Sequence, residues 1–203
     1  ESIRLPESAR LAVADSGVTV DESPARGAFP NAAQLSLGRK VASAVGYDFD
    51  AGRLDASAHP FTSCFGSGDV RITWRSEPDD FRPGLFGIMH EAGHAMYEQG
   101  LPSDLARTPL GSAVSLGIHE SQSRLWENQV GRSRPFWEWA LPHFHEAFPE
   151  SSAVTVDSLF PALNTIRPSL VRVDADEGTY NLHIVARFEI ERQIVAGAVG
   201  VDD

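Results

Sequence analysis

The stretch His90-Glu91-Ala92-Gly93-His94 constrains the fold of this chain more than any other. Residues four apart stack on one face of a helix, so two imidazoles can address one point only if this segment is helical. Gly93 stands inside the same segment, where glycine costs a helix about 1 kcal/mol relative to alanine. A glycine there suits the close approach of another element. The first expectation is a helix over 84–99, closed by Gly100 and Pro102, with a neighbour pressed against it.

Periodicity supplies the rest of the fold. Leu35, Val41 and Val45 fall near helical spacing and predict a helix over 31–46, capped by Gly46. The "YDFDAGRLD" that follows reads as a turn-rich loop. "GDVRITWR", 68–75, alternates, with Val70, Ile72 and Trp74 on one side and Asp69, Arg71, Thr73 and Arg75 on the other, which predicts a strand with one buried face. Further helices are expected near 112–130, closed by Gly131, and near 134–147. "LVRVDAD", 170–176, reads as extended. Residues 179–198 predict a last helix with one broad apolar side. The fold class is mainly α with a small β-sheet (α+β), a zincin-like His-Glu-x-x-His helix lying beside a second ligand-bearing helix. Pro6, Gly17 and Pro24 punctuate 1–26, a loosely packed lead segment. Residues 27–203 form the core, with no repeat or linker.

Bulk properties exclude several classes of function. A net charge of −11 argues against nucleic acid as a partner, because neutralising phosphates needs clustered cations. No run of 18 apolar residues is present, so no membrane span is expected. The opening residues lack the pattern of a secretory signal. Cys64 is the single cysteine, which excludes an internal disulfide and fits a reducing, cytoplasmic setting. Residue 1 is Glu, and either end reads as a possible cut in a longer protein.

The paired histidines point to metal chemistry. Zn²⁺ takes nitrogen and oxygen ligands in a tetrahedral array, and a catalytic site keeps one position for water. Glu91 is rotated away from the ligand pair but within reach of such a water, the place for a general base. The bland alternative is a helix with two partly buried histidines. Candidates for a third ligand are His119 and Glu120, about 100° apart on the second helix. Two histidines and a carboxylate are a common catalytic zinc set, which favours Glu120. His119 as ligand, or as a donor behind the ligands, is the alternative. His143 and His145 point to opposite sides of their helix and read as surface residues.

Four blocks in order, "HPFTSCFGSGDVRITWR", "LFGIMHEAGHAMYEQGL", "GIHESQSRLWENQVGRSRPFWE" and "PSLVRVDADEGTYNLHIVARFEIE", resemble the carboxypeptidase Taq family of zinc metallocarboxypeptidases. The likeness runs from about Gly27 to the end. It implies that His90, His94 and Glu120 bind the metal and that Glu91 activates water. It marks His59 with Pro60 and Phe61, then Asp69, Arg71 and Thr73, then Arg172, Ala175 and Asp176 as family blocks. Of these, His59, Asp69, Arg71, Thr73, Arg172 and Asp176 are the substrate-binding candidates. It also implies Zn²⁺ with Co²⁺ as a substitute, peptide substrates with a free C-terminus, a mostly helical fold and a homodimer. Arg172 is the candidate for the substrate's terminal carboxylate, which a planar guanidinium grips with two parallel bonds. Arg71 either assists or braces Asp69.

Relatives of this family are longer and carry a later Gln-Asp-x-His-Trp block, which is absent from this sequence. The leading expectation is a metal-dependent carboxypeptidase. The second is a truncated remnant that keeps fold and ion with little peptidase activity. An aminopeptidase or endopeptidase on the same core is a third. Surfaces left uncovered by a short chain predict self-association.

Overall fold

A computed structural model describes residues 17–166, 170, 172 and 175–200. They fall into two compact units, one spanning Asp21–Leu163 and the other combining residues up to Val20 with those from Asn164 onward.

The larger unit is built around a helix that is apolar on most sides. Helix α1 covers Asn31–Val45, and its successor α2 covers Arg82–Gln99. Leu85, Phe86 and Met89 of α2 join one hydrophobic cluster, while Ile88, Ala92 and Ala95 join another. A helix buried on opposing sides is the central element of its domain. Gly46 closes α1 at φ +117°, a conformation that favours glycine, and its N–H returns to the Ala42 and Ser43 carbonyls.

Three short strands, β1 (Gly52–Ala56), β2 (Thr62–Cys64) and β3 (Val70–Trp74), form one sheet in the order β1-β3-β2. β1 runs parallel to β3 with Leu54 opposite Ile72, and β2 runs antiparallel with Thr62 opposite Ile72. Val70, Ile72 and Trp74 pack with Ile88, Ala92 and Ala95, so the sheet lies on α2. The alternation expected for 68–75 holds for Val70, Arg71 and Ile72. It breaks at Thr73, which is also buried. Tyr47 fills the sheet's end. Its hydroxyl donates to the Val70 carbonyl at 2.7 Å, and burial pushes its pKa up to about 12.

Downstream come α3 (Leu116–Arg124), a π-helical turn (Leu125–Val130), α4 (Arg134–Ala147) and α5 (Val156–Leu163). The helix expected over 112–130 is thus shorter and changes type within its length. The 134–147 expectation matches α4. α5 carries Pro161, which concealed it from a periodicity reading. Phe29 meets Phe81 and Phe148 edge-on, and Phe81 and Phe144, centroids 4.8 Å apart, both pack edge-on to Trp137. Asp80, at the entrance to α2, is nearly buried. It accepts from Arg82 at 2.7 Å and pairs with Arg26 at 3.0 Å.

In the smaller unit, α6 covers Glu177–Val195. Asp176 caps it by accepting from the Thr179 N–H at 2.9 Å. Ile184, Phe188, Ile190 and Val195 are exposed, so the broad apolar side expected for this helix is not a buried one. Most of the extended segment expected at 170–176 lies outside the described residues.

Candidate metal centre

The close approach anticipated at Gly93 is present. A Cβ at this position would lie 2.7 Å from the Gln122 carbonyl oxygen and 2.7 Å from Ser123 Cα. Ser123 is itself fully buried. Helix α3 therefore rests with its backbone against α2, one turn past the site where its own acid projects.

That acid is Glu120. Its Oε2 lies 3.2 Å from His94 Nε2 and 3.8 Å from His90 Nε2. One atom from each of His90, His94 and Glu120 lies within 4.8 Å of the others. Tetrahedral bonds of 2.0–2.1 Å place ligand atoms about 3.3 Å apart, so the two printed separations bracket what one ion requires. Two imidazoles and a carboxylate are also the right donor types. The residues present fit Zn²⁺. Glu120 takes the position that the sequence left open between it and His119.

His119 stands behind the ligands instead. Its Nδ1 lies 2.6 Å from His94 Nδ1, and its Nε2 lies 2.8 Å from Glu98 Oε1. His90 is backed differently, with Nδ1 2.7 Å from Glu127 Oε2. Arg124 ties the acids together, donating to Glu120 Oε1 at 3.3 Å and Glu127 Oε2 at 3.1 Å. Ser123 donates to the Glu120 carbonyl at 2.7 Å. Helical spacing shows Glu120, Arg124 and Glu127 on one face. It does not show that Glu127 reaches His90, because the π-helical turn intervenes. The roles of Glu98 and Thr62 were also missed. Glu98 stands four residues after His94, the one sequence signal that pointed to it.

The electrostatics are those of a cation-ready pocket. Burial opposes charge on Glu120. The hydrogen bond with His94 and the nearby His90 and Arg124 outweigh it and bring its pKa down to about 2. Burial likewise opposes charge on Glu127, yet the His90 and Arg124 contacts hold it below the ordinary value. Burial pulls His90 down, but Glu127 prevails and its pKa is raised. Each shift favours the charged state in the metal-free chain.

Glu91 is only 7% exposed. The Thr62 hydroxyl of β2 lies 2.6 Å from its Oε2 and 3.1 Å from its carbonyl oxygen. The other family blocks support this strand. Thr73 Oγ1 accepts from the Phe61 N–H at 2.9 Å and from Ser57 Oγ at 2.7 Å. It thereby latches the His59-Pro60-Phe61 segment to β3. His59 is exposed and donates from Nδ1 to the Pro60 carbonyl at 2.7 Å. Arg71 braces Asp69, with Nε and one terminal nitrogen each 2.8 Å from a carboxylate oxygen. Arg172 donates to the Tyr180 hydroxyl within the smaller unit.

Other expectations fare unevenly. His143 and His145, both expected at the surface, are both half-buried, His143 beside Lys40 and His145 with its Nε2 3.0 Å from the Val154 carbonyl oxygen. Burial pushes the Cys64 thiol up and the Glu98 carboxylate adds to this, so it is not a reactive thiolate. Among the described residues no helix is long and apolar enough to cross a membrane.

Comparison with known proteins agrees with this geometry. The family profile described as carboxypeptidase Taq (M32) metallopeptidase matches residues 9–203. Thermostable carboxypeptidase 1 of Thermus thermophilus is 50% identical over 188 residues, covering 93% of this chain and 37% of that protein. Carboxypeptidase 1 of Bacillus subtilis is 44% identical over 192 residues, covering 94% and 38%. The crystal structure of the M32 carboxypeptidase from Deinococcus radiodurans R1 superposes with a TM-score of 0.91 at 45% identity, covering 97% and 40%. The chain thus spans somewhat over a third of the length of these relatives.

Proposed function

The chain belongs to the carboxypeptidase Taq (M32) family of metallopeptidases, and from that premise we propose that it carries the catalytic centre of a metallocarboxypeptidase acting on peptides with a free C-terminus. The observation that carries this reading is the convergence of His90, His94 and Glu120 beside a buried Glu91 held by Thr62. A bound Zn²⁺, or Co²⁺ in its place, supplies a Lewis acid that lowers the pKa of water toward 7 and polarises a carbonyl.

The chain's own residues do the rest. His90, His94 and Glu120 hold the ion. Glu91 accepts the proton of the attacking water and returns it to the departing amine, one group serving as base and then acid. Arg172 grips the terminal carboxylate, and its selectivity for a free C-terminus follows from two parallel bonds. Thr73 keeps the His59 segment in register, Arg71 braces Asp69, and His59 with this strand face addresses the substrate. Asp176 fixes the start of α6 after Arg172. The complete donor set and the buried base favour this reading over a remnant without turnover. A cytoplasmic setting and self-association belong to the same proposal.

The test is release of the C-terminal residue from an N-blocked dipeptide by zinc-reconstituted protein. Glu91→Gln is expected to cut turnover by about 10²–10⁴-fold, the usual contribution of a positioned base. Equal turnover in Glu91→Gln refutes the assignment. Release from a substrate with a free amine and a blocked C-terminus, but not from one with a blocked amine and a free C-terminus, would instead identify an aminopeptidase.

A further inference from the structure

We propose that Arg124 is a positioning residue that holds Glu120 to one-oxygen coordination, so that the fourth corner of the metal stays open to water. The proposal rests on the metal-centre reading above and extends it from which residues bind the ion to how many atoms they offer.

A carboxylate can bind a metal ion through one oxygen or through both. Here the difference decides whether water can enter. With one atom from each of His90, His94 and Glu120, a tetrahedral ion keeps one position free. With both oxygens of Glu120, protein fills that position. Packing alone does not settle which occurs. The Glu120 side chain is 45% exposed, against 20% for His90 and 15% for His94, so its carboxylate is the least confined of the three.

Arg124 supplies the restraint. It stands one helical turn after Glu120, and its Nε donates to Glu120 Oε1 at 3.3 Å. The other oxygen, Oε2, faces the imidazoles, 3.2 Å from His94 Nε2 and 3.8 Å from His90 Nε2. The two oxygens thus have separate partners. The guanidinium is itself anchored, since a terminal nitrogen donates to Glu127 Oε2 at 3.1 Å and to Asn128 Oδ1 at 3.3 Å. Both acceptors lie on the π-helical turn and are largely buried. Ser123 is not the restraint. Its single hydroxyl proton goes to the Glu120 carbonyl at 2.7 Å rather than to Oε2 at 3.2 Å. A guanidinium stays protonated in proteins, so the clamp involves no titration.

The experiment compares zinc and manganese dissociation constants, measured on the full chain by competition with a chromophoric chelator. Mn²⁺ favours oxygen ligands and higher coordination, so a second carboxylate oxygen suits it better than it suits tetrahedral Zn²⁺. Arg124→Met puts a methyl group near the former Nε and offers no donor. Its ratio of zinc to manganese affinity should fall about 10–100-fold, the usual contribution of a partner behind a ligand. Arg124→Gln puts an amide N–H near the former Nε without the charge, and should keep most of the ratio. Taking a ratio cancels the loss of positive charge, which both divalent ions feel alike. With Co²⁺ bound, the wild type and Arg124→Gln should show the intense visible bands of four-coordinate cobalt. Arg124→Met should show the weaker bands of higher coordination.

An unchanged ratio in Arg124→Met overturns the clamp. Equal falls in Arg124→Met and Arg124→Gln also overturn it, because lost charge or packing would then explain the effect. Weak cobalt bands in the wild type overturn it as well. Where Arg124→Met does not fold, Asn128→Leu carries the comparison by freeing the far end of the guanidinium. A smaller fall in the ratio is then expected, and no fall counts against the clamp. A wild-type chain that binds none of these ions defeats the metal-centre reading itself, an outcome distinct from tight wild-type binding with indifferent variants.

Discussion

Thr62 places its hydroxyl 2.6 Å from the Oε2 of Glu91, joining the edge strand of the sheet to the acid beside the metal ligands. The contact gives the small sheet a chemical purpose. β3 holds β2 in register, Thr73 latches the segment before β2, and Thr62 fixes the direction of the carboxylate. Hydrogen bonds to charged groups contribute about 1.5–3 kcal/mol. Thr62→Val should therefore lower turnover of the blocked dipeptide by roughly tenfold or more. Thr62→Ser should retain most of it, and steady-state kinetics of the two variants decide the matter.

Gly93→Ala tests the helix contact. Its new methyl would meet the Ser123 backbone at 2.7 Å, and backbone cannot swing aside like a side chain. Overpacking of this kind costs about 1–3 kcal/mol. Thermal unfolding should show that loss despite alanine's better helix propensity, together with weaker zinc binding as α3 moves outward. A Gly93→Ala protein as stable as wild type would mean the helices separate freely.

Asp80→Ala should be among the more destabilising single changes in the larger unit. It removes the nearer of two carboxylates from Arg82, whose side chain is 15% exposed, leaving the pair with Glu22 at 3.2 Å. Breaking a buried pair by removing one partner costs about 3–5 kcal/mol. The urea midpoint should fall accordingly, while the double replacement Asp80→Leu with Arg82→Met should recover part of the loss.

The pH dependence of the metal-free chain follows from opposite shifts. Glu120 and Glu127 are lowered, so their stabilising contributions are present above the ordinary carboxylate value and fade as pH falls, for Glu120 toward about 2. His90 is raised, so its contribution is present below the ordinary imidazole value and is lost as pH rises through the folded value. The stability difference between wild type and Glu127→Gln should accordingly be largest from about pH 4.5 to 6.5. Melting curves of both proteins across pH 3–9, taken in chelator, measure it.

Zinc should stabilise the chain by mass action, about 2.7 kcal/mol at a free concentration one hundred times the dissociation constant. Glu91→Gln should retain this stabilisation, because the role proposed for Glu91 is that of a base and it stands outside the His90, His94 and Glu120 cluster. His94→Ala should abolish it. Parallel melts with zinc and with chelator separate binding from catalysis.

The sequence reading succeeded where local spacing decides the outcome. The His90 and His94 pair, the Gly46 cap and the α4 limits all follow from short-range rules. Gly93 also forecast a close neighbour, since its cost within a helix needs a compensating contact. The misses have a common cause. β2 is too short to show a period, β1 buries one residue of its five and so has no apolar alternation, α5 contains a proline, and Thr62, Glu98 and Glu127 act across elements. Their partners lie 29, 21 and 37 residues away, separations at which a linear pattern carries no register. Thr73 shows the limit of alternation, because its hydroxyl bonds Ser57 and the Phe61 N–H on a face that should have met solvent.

The wide turn at Leu125–Val130 has a consequence for anyone reshaping this chain. Deleting one residue there would yield a tidier, evenly wound helix, the sort of edit that thermostability programmes reward. It would also swing the acid behind His90 roughly a quarter of the way around the axis, since each residue of an α-helix advances about 100°. Regularity and a working imidazole are in competition over those six residues.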